Sequence, residues 1–163
     1  MGKGFLINVA SSLKLSDATT IADAALKAGR DADLLPLTVA VLDAGGNLVV
    51  FKREDGCGIV RGDVAIGKAA AALGMGVSSR TLRDRLKERP AFQAAISAAS
   101  DGRFVAVPGG VLILDDGGKA IGAVGISGDA SDRDEYAAIA GIQTSGFASH
   151  PESPNDNWQD ASL

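Results

Sequence analysis

The sequence predicts an α/β (α+β) protein of three layers, a sheet covered by helices on both sides. Three observations lead there. Residues 37–42 and 48–51 read as strands and are apolar on both faces, with Leu37, Val39 and Val41 on one side of the first and Ala40 and Leu42 on the other. A sheet with one wet face would alternate more cleanly. Between and after these strands lie segments with helical spacing of apolar residues. Finally, 163 residues with 46% hydrophobic and 22% charged content suit one globular domain rather than two. Aromatic residues make up only 4%, so the core has to be built from Ala, Val, Ile and Leu.

In chain order, Ser16 is placed to cap a helix whose apolar positions are Ala18, Ile21, Ala22, Ala25 and Leu26, and Pro36 marks its exit. Ala44-Gly45-Gly46-Asn47 joins the first two strands with residues that tolerate positive φ, as a tight hairpin requires. An Ala-rich helix follows over 63–73 and is broken by Gly74-Met75-Gly76. Ser78 caps a second helical stretch over 81–88, and Pro90 opens a third through Ala99. Gly109-Gly110 precedes a strand at 111–114, and Asp115-Asp116-Gly117-Gly118 turns it back into another at 120–126. Ser131 is the expected cap of a last helix, with Asp132, Asp134 and Glu135 in its first turn, where carboxylates complement the helix dipole. Beyond Phe147 the chain is polar, and Pro151 and Pro154 speak against a structured ending.

A net charge of −4 argues against nucleic acid or an acidic membrane as a primary partner. The single cysteine, Cys57, permits no internal disulfide. The apolar run 5–10 is too short for a signal peptide or a spanning helix. The expectation is a cytoplasmic protein that begins at Met1.

Most motif-like segments dissolve on inspection. Gly62 to Lys68 fits a phosphate-binding loop except that Ala69 stands where a magnesium-binding hydroxyl is needed, and no strand precedes it. Gly125-Ile126-Ser127-Gly128-Asp129 resembles a nucleophile elbow but ends in Asp, and the one histidine, His150, lies in the polar ending. One His and one Cys give none of the usual metal-ligand spacings, so no metal site is expected. Cys57, between two glycines, reads as accessible but without a residue that would activate it. The basic run Arg80, Arg83, Arg85, Lys87 and Arg89 is interleaved with Asp84 and Glu88 and reads as a solvated face with pairs such as Asp84–Lys87, or else as a surface that guides an anion. Gly122, Gly125 and Gly128 mark close approach to a strand, either by another stretch of backbone or by a ligand.

Several segments together resemble the GlcG/HbpS-like family: Val41-Leu42-Asp43-Ala44-Gly45-Gly46-Asn47-Leu48, Ala65-Ile66-Gly67-Lys68-Ala69, Gly109-Gly110-Val111, Ile121 to Gly128, and Asp134-Glu135. The resemblance runs from about Ser16 to Phe147, so residues 1–147 form one domain of this kind and 148–163 a polar tail. It implies a profilin-like fold with a five-stranded antiparallel sheet, for which 104–107 is the natural fifth strand, and a homo-oligomer. It also implies alternative ligands, because some members bind haem while others accompany catabolic enzymes. The first reading is a small-molecule-binding protein that takes a small organic anion where Gly109 and Gly110 meet Gly125, Ser127 and Gly128, with Lys68 as the cation. Haem binding or breakdown is the second, with Met75, Cys57, Tyr136 or a non-standard oxygen ligand left to hold the iron in a domain that lacks histidine. An assembly module without ligand is the third.

Overall fold

The computed structural model describes Gly4 and residues 6–163; residues 1–3 and Phe5, the first residue of the apolar run, lie outside the described residues. The elements are α1 (Leu15–Asp31), β1 (Thr38–Asp43), β2 (Leu48–Arg53), α2 (Val60–Met75), α3 (Ser79–Leu86), α4 (Pro90–Ala99), β3 (Gly110–Leu114), β4 (Ala120–Ser127), α5 (Ser131–Thr144) and β5 (Ala148–His150). The five strands form one sheet in the order β2-β1-β4-β3-β5, and every neighbouring pair is antiparallel.

The pleat sorts the side chains into the two expected helical layers. Val39, Val41, Val111, Ile113, Val124 and Ile126 point to α1 and α5, where Ile21, Ala22, Ala25, Ala138 and Ile142 complete the larger core. Leu42, Leu112 and Ala123 point the other way, onto Ala69 and Ala72 of α2. Burial on both faces holds for the central strands, whereas β2 is an edge strand with Leu48 and Phe51 exposed.

The α2 layer sits unusually close to the sheet, and glycine is the reason. Gly110 and Gly125 are cross-strand partners beneath α2. A Cβ on Gly125 would lie 1.8 Å from the Ala65 carbonyl oxygen, and one on Gly110 would lie 2.2 Å from that of Lys68. Backbone therefore packs on backbone, the close approach that glycine permits within a strand.

Several local expectations change. Ser16 is not a cap, because α1 begins at Leu15 with Lys14 in the cap position and no side-chain cap bond. Ser131 is already helical. Ala130 takes the cap position with no side-chain cap bond, and the carboxylates fix the turn that enters the helix: Asp129 Oδ1 accepts from the Ala130 amide at 2.7 Å, and Asp134 Oδ1 from the Asp129 amide at 2.9 Å. Ser78 does cap α3, accepting from the Thr81 amide at 3.2 Å. Helix α2 runs through Gly74 and Met75 and ends at Gly76 with φ 67°.

The fifth strand is Ala148–His150, paired with β3, and not 104–107. Phe104 and Ala106 are drawn instead into a small core with Leu82 and Leu86, while the Val105 amide donates to Gly67 of α2 at 3.2 Å. The ending expected to lack structure thus contributes an edge strand, and beyond it Trp158 stacks on Tyr136 with ring centroids 3.8 Å apart. No helix among the described residues is long and apolar enough to cross a membrane.

Candidate functional site

The residues singled out in the sequence do converge, at the end of β4 where the chain enters α5. Lys68 projects from α2 beneath the sheet's end and is only 2% exposed. Its Nζ donates to the Ile126 carbonyl at 2.8 Å and to Asp134 Oδ2 at 2.9 Å. Burial pushes the ammonium below its usual value and the Asp134 carboxyl above, while their mutual attraction opposes both shifts. Gly109 (φ 119°) lies against this side chain, with a Cβ there 2.9 Å from Lys68 Nζ. Gly110 and Gly125 are occupied by the α2 backbone, and a Cβ on Gly128 would lie 2.2 Å from the Pro36 carbonyl oxygen. Each glycine is thus met by protein atoms rather than by open space.

The side of this cluster toward the 57–61 turn holds different chemistry. Arg61 Nη1 donates to Ser127 Oγ at 3.4 Å, and no carboxylate lies within salt-bridge distance of this half-buried guanidinium among the described residues. Its charge is felt by both Lys68 and Asp134. Cys57 Sγ lies 3.0 Å from Thr38 Oγ1 and 3.4 Å from the Pro36 carbonyl, so the thiol is half-buried and hydrogen-bonded rather than open. Arg61 was not anticipated from sequence. Its only signal there is a positive charge two residues before the Ala-rich stretch.

A second ionic group adjoins the first on the far side of α5. Glu135 is buried, with Arg80 Nε 3.2 Å from Oε1, and Arg83 reaches Asp132 at 3.8 Å. Burial pushes Glu135 up to about 7 against the attraction of Arg80. The basic run is therefore not simply a solvated face, and Asp84 pairs with Arg83 at 2.9 Å rather than with Lys87.

Open clefts lie elsewhere. One of about 310 Å³ is lined by Val77, Leu112, Leu114, Ala120 and His150. The Nε2 of His150 is buried without a hydrogen-bond partner. Another, of about 300 Å³, is bounded by the 44–46 hairpin, Leu73 and Arg103. Of the haem ligands considered from sequence, Cys57 and Tyr136 are engaged in the contacts above, and Met75 is exposed at the end of α2.

Comparison with known proteins places the chain as a whole. Residues 13–143 match the family described as haem degrading protein HbpS-like. The chain is 27% identical over 104 residues, 64% of its length and 72% of the relative's, to an uncharacterized 15.0 kDa protein of the dhaT-dhaS intergenic region of Citrobacter freundii. Its fold matches the crystal structure of the PduOC:heme complex with a TM-score of 0.75 at 26% identity, over 85% of this chain and 98% of that one. The crystal structure of HbpS matches with a TM-score of 0.70 at 28% identity, over 88% and 96%.

Proposed function

The chain belongs to the HbpS-like family, and from that membership we propose that it is a cytoplasmic, homo-oligomeric protein that binds a small organic acid at the end of β4. One observation carries the reading. Arg61 is a half-buried guanidinium whose one hydrogen-bonded side chain is a neutral hydroxyl, that of Ser127. A guanidinium offers five donors in a planar fork suited to a carboxylate. Ser127 would meet the ligand through its hydroxyl beside Arg61, and Gly128, packed on the Pro36 carbonyl, would shape the turn. Lys68, Gly109, Gly110 and Gly125 would hold the floor, with the ammonium occupied by Asp134. For self-association, α4 offers a largely apolar helix with no buried residue, Phe92 among its exposed positions.

Thermal melts with lactate or succinate test the proposal. At a hundredfold excess over Kd the melting temperature should rise by roughly 5–10 °C. The shift should vanish in Arg61→Gln, and the same samples should scatter light above the 16.4 kDa monomer mass. Equal shifts in both proteins, or none in either, would remove the acid from this site.

Haem is the second reading, and a specific observation favours it. The structure takes His150 out of the expected loose tail and sets it on β5 beside an apolar cleft, and haem needs both an axial ligand and an apolar enclosure. A hemin titration separates the two readings. A broad, unsaturating Soret change, the same in His150→Ala, is expected for the acid-binding protein. A saturable band lost in that variant would put haem first.

A further inference from the structure

The segment after β5 is held to the body in an unusual way. None of residues 151–163 is buried, and their one regular element is a short 3-10 turn at Trp158–Asp160. Side chains of the body reach out to the segment's main-chain carbonyls instead. Arg80 donates to Ser153 at 2.9 Å, Gln143 to Glu152 at 2.7 Å and Arg133 to Gln159 at 2.7 Å. Trp158 stacks on Tyr136 with an interplanar angle of 4°.

This strap borders the part of the molecule with unmet polar groups: Asn155 reaches Asp132, Arg133 reaches Gln159, and Arg80 joins Ser153 to Glu135. Five buried side-chain polar atoms among the described residues lack a hydrogen bond: Asp132 Oδ1, Arg133 Nε, both oxygens of Glu135, and His150 Nε2. The first four lie in the opening turns of α5, next to the strap's anchors, and the fifth lies at the strap's root. A buried polar group without a partner costs about 1–3 kcal/mol, which water would relieve. The strap therefore adjoins groups that would gain hydrogen bonds if it lifted, and Trp158, stacked on Tyr136 and packed against the larger core, is the apolar contact that opposes the lifting.

We propose that residues 151–163 form a lid, hinged at β5 and latched over the start of α5 by Arg80, which holds Glu135 with Nε and the Ser153 carbonyl with Nη2.

The latch senses protonation. Glu135 faces Arg80 and Arg83 from α3, Asp132 on its own helix and Lys68 from α2, while the strap carries Glu152, Asp156 and Asp160 and starts at His150. Burial is the largest influence on Glu135 and raises it from 4.5 to about 7. A lifted lid would hydrate the carboxyl and return it toward its ordinary value. The closed state thus holds the proton more tightly, and its advantage falls as pH rises from about 4.5 to about 7 and does not change further above that.

The chain's one tryptophan lies on the lid and its one tyrosine beneath it, so intrinsic fluorescence of the full chain reads the lid directly. Between pH 4.5 and 8.5, Trp158 emission should shift to the red and acrylamide quenching should rise severalfold, with the change complete by about pH 7. Glu135→Gln should stay closed throughout, Arg80→Gln should read as open at both ends, and His150→Gln should keep the transition, which excludes the imidazole as its source. A wild-type signal that is flat across this range overturns the lid whatever the variants do. So does a transition that survives in Glu135→Gln or disappears in His150→Gln.

Discussion

Asp134 and Glu135 are neighbours on one helix, both buried, yet they face two differently built regions. Asp134 looks toward α2 and the sheet, where each of its oxygens is met: Oδ2 by Lys68 and Oδ1 by the Asp129 amide. Glu135 looks toward α3 and the C-terminal strap, where neither oxygen accepts a well-formed hydrogen bond and Arg80 stands 3.2 Å away. The difference lies in what closes around each group. On the α2 side, paired glycines bring main chain into contact with main chain, and carbonyls and amides are at hand for a buried charge. On the strap side, a thin segment covers charges that arrived with too few partners. A buried charge is stable only where its surroundings supply hydrogen bonds as well as a counter-ion.

The largest test of this contrast is Lys68→Ala. If Lys68 completes a satisfied buried pair, its removal leaves Asp134 uncompensated and should cost about 3–5 kcal/mol in urea unfolding without any ligand present. Replacing both partners by apolar residues, Lys68→Met with Asp134→Leu, should cost much less, because no buried charge is then stranded. A Lys68→Ala protein that unfolds at the wild-type urea concentration would erase the distinction between the two regions.

The sequence shows the α2 side far better than the strap side, for a physical reason. Strand alternation, hairpin glycines and helix punctuation are local signals, and they place β1, β3, β4, α2 and α4 within a few residues of their observed ends and α5 at its observed start. The glycines at 110 and 125 stand out because only a close approach explains them inside strands. The partner of Lys68 was less legible, since Asp134 lies 66 positions away and only the folded sheet brings the two together. The strap leaves almost no local trace. Residues 148–150 carry no apolar alternation, so a three-residue edge strand formed by pairing with β3 looks like any polar ending. The structural role of Trp158 depends on Tyr136, which no spacing rule connects to it. Arg61 likewise looks like an ordinary surface charge, and Glu135 like a carboxylate set by the helix dipole, until burial sets them apart.

A smaller effect should sharpen the comparison from the strap side. In Glu135→Gln the side chain keeps its shape and resembles the protonated acid, so the variant removes one titration and little else. The folded protein holds the Glu135 proton up to about pH 7, whereas an unfolded chain releases it near 4.5. Across that interval the folded state binds more protons, so wild-type stability should fall as pH rises and level off above about 7. The variant should lack this contribution. It should match or slightly trail wild type at pH 4.5 and exceed it at pH 8 by an amount on the order of 1–3 kcal/mol, as measured by urea unfolding at each pH. Asp134 and Lys68 titrate in both proteins, so the difference between the two curves isolates Glu135. Parallel curves would mean that Arg80 holds the carboxylate as well as water does, and the two sides of α5 would then be equally satisfied. A difference well below this range, together with a clear change in Trp158 emission between about pH 4.5 and 7, would have another meaning. The folded protein would be lifting its lid and hydrating the carboxylate before it unfolds, which caps what burial can cost.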